Sequence, residues 1–136
     1  MKTDYKVHLG PEMIPGYWNT DDISLSNVET NQCTELVIDL ALGRIPIDKI
    51  RGVMNNWISK LRYGAKIVIN DLDILQLSKA VITKKTSVME INKLLYNDRV
   101  SCLTLEDTCE IIKSLGLNIT RKSLVEFEYS VEAERR

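Results

Sequence analysis

Apolar residues are grouped along the chain in two ways, and each grouping predicts a different kind of element. Compact apolar runs bounded by turn residues are typical of buried strands, whereas apolar residues spaced three and four apart predict one face of a helix. In chain order the two patterns predict strands at 5–9, 17–20 and 35–40, a helix over 46–62, a strand at 66–70, helices over 72–82, 87–95 and 105–115, and strands at 117–120 and 125–133.

Turn and capping residues set the ends of these elements. Gly10-Pro11 is a breaker pair that ends the first strand. The stretch from Ser87 to Glu90 matches the capping-box pattern, in which a serine caps the helix and a glutamate reaches back. Thr104 is an N-cap residue, and Gly116 suits the position after a helix. Residues 23–34 are polar and predict a connecting loop.

The order of the elements predicts an α/β fold. The helix over 46–62 joins two buried apolar strands, and a right-handed crossover makes such strands parallel. The last two strands form a terminal antiparallel hairpin. We therefore expect a single domain over residues 1–136 with a mixed, mostly parallel sheet.

Composition excludes several function classes. The 136 residues include 18 basic and 19 acidic side chains, whereas nucleic-acid-binding domains usually carry a basic excess, so there is no strong nucleic-acid signal. No apolar run approaches the roughly 18 residues of a membrane span, and nothing resembles a signal peptide. We expect a cytoplasmic protein without a metal centre, because no zinc-binding pattern joins the few candidate ligands, His8, Cys33, Cys102 and Cys109.

A collinear set of short motifs covers most of the chain. The motifs are His8-Leu9-Gly10 followed by 14–19, then 40–46, 57–69, 92–96 and 132–135. In this order they resemble the class I S-adenosylmethionine (SAM) methyltransferases, in particular small bacterial and phage members. The resemblance implies a truncated three-layer Rossmann-like methyltransferase fold, with a mostly parallel sheet ending in an antiparallel hairpin.

The resemblance also implies SAM as cofactor and a set of residues that would bind it. Ligands of such folds lie outside the carboxyl ends of the parallel strands. Gly10 corresponds to the glycine loop after strand one, and Asp21 or Asp22 to the acidic residue that binds the ribose. Asp39 and Leu40 end the strand whose following residues lie beside the reacting methyl group in this family. No catalytic residue is predicted.

Three departures from the family pattern favour a second hypothesis. Pro11-Glu12 replaces the small residues of the first loop, Gly43-Arg44 replaces an acidic residue and a histidine, and 23–34 is too short for the usual helix, strand and adenine-contacting loop. The two hypotheses are a minimal SAM-dependent methyltransferase of unknown acceptor, and an inactive pseudoenzyme serving as interaction subunit, regulator or virion component. If the chain is phage-encoded, its location would be the host cytoplasm or the virion.

A third hypothesis, a small glycosyltransferase-like domain, concerns Asp71 and Asp73, which follow an apolar strand as a D-x-D pair. Such a pair binds a metal in some glycosyltransferases. Carboxylates at the start of a helix more often act as caps. We therefore favour this hypothesis less than the other two.

A protein partner or a homo-oligomer is also predicted. The terminal hairpin presents an edge strand, and edge strands can template self-association, so a dimer is plausible. Aromatic residues are the other candidate contacts, with ordinary packing as the alternative for each. These residues are Tyr17, Trp18, Tyr63 and Tyr129.

Overall fold

The computed structural model describes residues 4–136, and its strands form one six-stranded sheet. Two 3₁₀ turns, Leu42–Arg44 and Ile47–Lys49, lie before the first helix. The elements are β1 (Lys6–Leu9), β2 (Trp18–Thr20), β3 (Cys33–Asp39), α1 (Ile50–Ser59), β4 (Leu61–Leu72), α2 (Ile74–Ile82), α3 (Val88–Leu95), α4 (Leu105–Ser114), β5 (Asn118–Val125) and β6 (Glu128–Glu134).

The strand order in the sheet is β2-β1-β3-β4-β6-β5. Strands β2, β1, β3 and β4 are parallel neighbours, whereas β6 runs antiparallel to both β4 and β5. The last strand of the chain is thus inserted beside β4, and β5 becomes the outer edge. The predicted fold class is confirmed: a truncated, mostly parallel methyltransferase-like sheet with one reversed strand.

One face of the sheet carries the main core. Burial alternates along β4 and β6, as expected when only every second side chain points into the core. Helices α1 and α4 cover this face, and Met54, Trp57 and Ile112 pack there with sheet residues such as Ile67 and Val131. Burial of this apolar surface is the main stabilising term of the fold.

The opposite face is polar where it crosses the central strands. Lys66 on β4 forms ion pairs with Glu35 on β3 at 3.0 Å and with Glu132 on β6 at 3.3 Å. The hydrogen bond from Glu35 raises the pKa of Lys66 above its usual value. Among the described residues, the connections β1–β2 and β2–β3 contain no helix, so the truncation falls on the helices that would follow these two strands.

The connection between β2 and β3 is the predicted loop, yet it contributes to the core. Leu25 and Val28 are both fully buried in it. The indole nitrogen of Trp57 donates to the Ile23 carbonyl at 2.7 Å, and the Asn56 amide donates to the Ser24 carbonyl at 2.8 Å. The Asn31 amide also donates to the Ser59 carbonyl at 2.9 Å. The loop is therefore held by two buried apolar side chains and by three hydrogen bonds to α1.

The second predicted helix differs in detail from the structure. Helix α2 begins at Ile74 rather than Leu72, because the Asp73 carboxylate accepts from the Gln76 amide and caps the helix. The inward side chains of α2 are Leu77 and Ala80, whereas Leu75 is 49% exposed. A short helix with apolar residues on several sides does not define its inner face by sequence alone.

The capping predictions are confirmed in most respects. Thr104 forms a reciprocal capping box with Asp107, and Gly116 has φ +89° just after α4. The Ser87 hydroxyl accepts from the Glu90 amide, but the Glu90 carboxylate accepts from Thr86 at 2.8 Å. The predicted break at 121–124 is absent, because the hairpin turns at 126–127 and both its strands extend to that turn.

Candidate functional site

The sheet order reverses at β1, whose neighbours are β2 on one side and β3 on the other. Ligands of open α/β sheets bind at such a point, outside the carboxyl ends of the strands. Gly10 follows β1 there and lies against Asp39, the last residue of β3. A Cβ added at Gly10 would lie 2.7 Å from the Asp39 carbonyl oxygen, so no larger residue fits without displacing β3.

His8 completes a cluster with Gly10 and Asp39. Its side chain is 2% exposed, and Nε2 lies 3.4 Å from Oδ2 of Asp39. Among residues 4–136, Nδ1 of His8 is a buried nitrogen with no hydrogen-bond partner. The sequence analysis placed this histidine in the first motif and among the candidate zinc ligands, but did not assign it to the cofactor site. Its position, two residues before Gly10 on the strand, was the signal that could have assigned it to the site.

The acidic residues after β2 lie at the neighbouring strand end. Gly10 donates its amide to the Thr20 carbonyl at 3.2 Å, so Asp21 and Asp22 follow directly on the same edge. Asp21 is exposed. The Asp22 carboxylate accepts four hydrogen bonds, from the amides and hydroxyls of Ser24 and Ser26, at 2.6–3.1 Å. These bonds, led by the Ser26 and Ser24 hydroxyls, hold the pKa of Asp22 well below its ordinary value.

Leu40 turns the chain at the end of β3. It has φ +57°, a left-handed conformation that is uncommon for a leucine, and its amide donates to the Asn70 carbonyl at 2.9 Å. The structure thus places all five predicted cofactor-binding residues along one edge, at the ends of β1, β2 and β3.

The loop after Gly10 departs most from a ligand-binding turn. Pro11 is exposed and supplies no amide hydrogen, and Glu12 is exposed beside it. The Asn19 side chain ties the loop together by accepting from the Ile14 amide at 2.8 Å and donating to the Ile14 carbonyl at 3.1 Å. No helix starts in the described loop, so the loop itself offers no helix N-terminus to bind an anionic group.

A second cluster lies where the chain leaves β3 and β4. The guanidinium of Arg99 pairs with the carboxylate of Asp71, with side chains 7% and 2% exposed. Asp71 also accepts from the Gly43 amide at 2.9 Å and the Leu72 amide at 2.7 Å. A Cβ at Gly43 would overlap the guanidinium, which explains the glycine at this position. We call Gly43, Asp71 and Arg99 the arginine latch.

Backbone contacts extend the latch. The amides of Val100 and Ser101 both donate to the Gly43 carbonyl, at 2.8 and 3.1 Å. The segment before α4 is therefore bound over the 3₁₀ turn at Leu42–Arg44. Sequence reasoning noted Gly43-Arg44 as a departure but missed Arg99, because the two segments lie far apart along the chain.

The D-x-D pair is used for structure. Asp71 belongs to the latch, while Asp73 caps α2 and also accepts from the Leu105 amide at 2.9 Å. Within the described residues there is no group of three or more His, Cys, Asp or Glu side chains that could hold a metal ion. The capping interpretation of Asp73 is confirmed.

The aromatic contact candidates divide into one buried residue and three accessible ones. Tyr129 is 1% exposed and its hydroxyl lies 2.8 Å from that of Thr108, so its assignment to a partner surface was wrong. Burial raises the pKa of this tyrosine. Trp18 is 38% exposed, Tyr63 is 68% exposed, and Tyr17 is half-buried.

No described helix is long and apolar enough to cross a membrane. This agrees with the apolar runs in the sequence, all of which are shorter than a span.

Comparisons with known proteins give similarity in structure only. No protein-family model and no curated protein matches the chain. Solved structures that match include magnesium protoporphyrin IX methyltransferase from Synechocystis PCC 6803 with bound S-adenosylhomocysteine (SAH), at TM-score 0.59 and 15% identity over 88% of this chain and 51% of that one. A SAM-dependent methyltransferase from Thermotoga maritima matches at TM-score 0.64 and 8% identity, over 89% of this chain and 65% of that one. Another, from Archaeoglobus fulgidus, matches at TM-score 0.59 and 11% identity, over 88% and 68%.

The chain therefore has the fold of the class I SAM-dependent methyltransferases. It spans about half of the Synechocystis enzyme and less than half of several other neighbours.

Proposed function

We propose that this chain is a methyltransferase-fold protein that does not transfer methyl groups and acts through contacts with other proteins. The observation that carries the proposal is the arginine latch. Arg99 and Asp71 lie over the turn that follows β3, where the resemblance places the reacting methyl group and its acceptor. The buried Arg99–Asp71 ion pair and the backbone hydrogen bonds of Gly43 therefore occupy the region where an acceptor would lie.

The cofactor side of the same edge supports the proposal. A SAM molecule needs an acceptor for its ribose hydroxyls and amide donors for its carboxylate. Both oxygens of Asp22 already accept bonds from Ser24 and Ser26. In the first loop Pro11 has no amide hydrogen, and Glu12 adds a carboxylate where the carboxylate of SAM would lie. Asp21 stays exposed, but the loop and the engaged Asp22 fit SAM poorly, and we assign no catalytic step to this edge.

Calorimetric titration with SAM and with SAH tests the proposal. We expect no saturable heat up to about 1 mM ligand, which corresponds to a binding free energy weaker than about −4 kcal/mol. Saturable binding that disappears in the Asp39→Ala variant would contradict the proposal, because Asp39 is the predicted site residue that contacts both Gly10 and His8. Pro15→Ala, an exposed change in the same loop, is the matched control.

A minimal SAM-dependent methyltransferase is the second candidate, and one observation favours it. Gly10, Asp39 and His8 form a close cluster at the point where strand order reverses, with one unpartnered buried nitrogen. Related folds bind SAM-type ligands, as the Synechocystis structure does SAH. Transfer of tritium from labelled SAM to components of a cell extract, lost in Asp22→Ala protein, would establish this candidate instead.

A further inference from the structure

A recess lies between the end of α2 and the turn that joins β5 to β6. Its volume is about 650 Å³, within the range of roughly 300–1,000 Å³ that is typical of small-molecule sites. We call it the lysine recess, because the side chains that line it include Lys79 and Lys85.

One wall of the lysine recess is a single face of α2 and its C-cap. The residues of this wall recur three and four apart, which places them on one side of the helix; they are Gln76, Lys79, Ala80 and Thr83. Just after the helix, Lys84 takes a left-handed conformation with φ +60°, and the Lys85 amide donates to the Ala80 carbonyl at 2.9 Å. The chain therefore turns back at the helix end, and Lys85 lines the same recess.

The other wall is the turn of the β5–β6 hairpin, which contributes Leu124, Glu126 and Phe127. The Phe127 carbonyl accepts from the Asp73 amide at 2.8 Å, and Asp73 caps α2. The turn is therefore fixed to the helix that forms the first wall. Backbone hydrogen bonds hold both walls, and such a largely preformed recess is usual for small-molecule sites.

The charged groups of the lysine recess leave one positive charge in excess. Lys79 and Lys85 are its cations and Glu126 is its anion, although the whole chain has a net charge of −1. Among the ion pairs within residues 4–136, none includes any of these three side chains. A ligand with one negative charge would balance the excess, whereas a doubly charged phosphate would also be repelled by Glu126.

The carbonyl groups at the end of α2 would by themselves disfavour an anion, because they carry a partial negative charge. Here they already accept hydrogen bonds from the chain that follows. The Lys79 carbonyl accepts from the Thr83 amide at 2.9 Å, and the Ala80 carbonyl accepts from the Lys85 amide at the same distance. These bonds and the two ammonium groups offset the charge of the helix end.

From these features we propose that the lysine recess binds a small organic monoanion, in which a carboxylate is joined to an apolar body. The ammonium groups of Lys79 and Lys85 would bind the carboxylate, with the side-chain amide of Gln76 as a further donor. The apolar residues of both walls, Phe127 among them, would contact the body. The recess shares no residue with the strand-end cluster or the arginine latch, and its ligand is independent of the function proposed above.

NMR titrations of ¹⁵N-labelled protein with three matched compounds test the proposal. Phenylbutyrate carries both the carboxylate and the apolar body, acetate carries only the carboxylate, and phenylbutanol carries only the body. We expect phenylbutyrate to shift the amides of Lys79, Thr83 and Lys85 saturably, with a Kd of about 1 mM or lower. Phenylbutanol should bind at least about threefold more weakly, and acetate should not saturate up to about 10 mM.

Variants separate the charge of the recess from its shape. The double change Lys79→Gln with Lys85→Gln should weaken phenylbutyrate binding at least about threefold and leave phenylbutanol binding unchanged. Lys93→Gln with Lys113→Gln removes the same charge from two exposed lysines outside the recess and is the matched control. This control should bind phenylbutyrate as the wild type does. Circular dichroism of each variant checks folding.

Several results would overturn the proposal. They are phenylbutyrate that causes no saturable shifts up to about 10 mM, equal affinity for phenylbutyrate and phenylbutanol, and saturation by acetate in the same range. Phenylbutyrate binding that the recess double change weakens no more than the control change would also overturn it. Shifts centred on Gly10 instead of Lys79 and Lys85 would assign the anion to the strand-end cluster and not to the recess.

Discussion

The core under α1 and α4 and the carboxyl edge of the sheet have departed from the methyltransferase pattern to different degrees. In the core, strands and helices keep the order and burial that the fold requires, and Trp57 packs beneath the parallel strands. At the edge, polar groups that could receive a ligand form hydrogen bonds within the protein itself. This holds for the arginine latch and for the turn in which Ser24 and Ser26 donate to Asp22, here called the Asp22 turn. In this chain the packing of the fold is kept, whereas several side chains at the carboxyl edge differ from the family pattern.

The largest expected effect comes from breaking the latch. In Arg99→Ala protein the Asp71 carboxylate stays buried without its ion pair, which typically costs about 3–5 kcal/mol of unfolding free energy. Urea unfolding followed by tryptophan fluorescence measures it. Arg44→Ala, an exposed arginine on the turn above, should change stability by less than about 0.5 kcal/mol. Equal losses of unfolding free energy in the two variants would mean that the Arg99–Asp71 ion pair does not stabilise this edge.

A double-mutant cycle sharpens this result. Gly43→Ala should be destabilising in the wild type, because its methyl group displaces the guanidinium. In the Arg99→Ala background the same change should cost little, giving a coupling of about 1 kcal/mol or more. Simple additivity would show that Gly43 is required for another reason.

On the core side of the comparison, Trp57→Phe should lower the unfolding free energy by about 1–3 kcal/mol. The change removes the hydrogen bond to the Ile23 carbonyl and part of a fully buried ring. Trp18→Phe, at a residue 38% exposed, is the matched control and should have a much smaller effect. Comparable losses would place Trp18 in the core as well.

The Asp22 turn predicts an effect of pH. Hydrogen bonds from Ser26 and Ser24 lower the pKa of Asp22 from its ordinary 3.8. The ionised carboxylate therefore stabilises the fold at a pH above 3.8, and this contribution is lost as the pH falls below that value. Asp22→Asn should thus reduce stability by about 1 kcal/mol at neutral pH and by progressively less below about pH 4. Asp21→Asn is the control for net charge. A loss of unfolding free energy in Asp22→Asn that does not change with pH would contradict a stabilising role of the ionised Asp22 carboxylate.

The smallest effect is expected on the polar sheet face. The pKa of Lys66 is raised from 10.5, chiefly by Glu35, so the contribution is present below that pH and disappears as the pH rises beyond it. Since the lysine side chain is 45% exposed, Lys66→Gln should cost only about 0.2–1 kcal/mol at neutral pH, and less in high salt. Lys49→Gln is the control. A loss above about 2 kcal/mol would mean that this face is structurally critical.

Local patterns predicted the parts of the fold that local chemistry determines. The apolar runs of β3 and β4, the Thr104 capping box and the glycine after α4 are all encoded within a few residues. The predicted site residues Gly10 and Asp39 are adjacent because parallel strands bring their carboxyl ends to one edge. That adjacency follows from topology, and the motif order was sufficient to predict it.

The latch depends on contacts that no local pattern reveals. Arg99 follows α3 and reaches a glycine more than fifty residues earlier, so neither residue predicts the other. Tyr129 was misplaced for a related reason: alternation in a hairpin does not say which face is covered until α4 is docked on it. The sequence therefore predicted the edge but not what fills it.

An NMR titration of ¹⁵N-labelled protein with SAH tests most directly our proposal that the carboxyl edge is closed to a SAM-type ligand. At about 2 mM SAH we expect the amides of Gly10, Asp39 and Gly43 to shift no more than those of the exposed Gly52 and Gly64. Saturable shifts concentrated at Gly10, Asp22 and Asp39 would contradict it and would establish a working cofactor site.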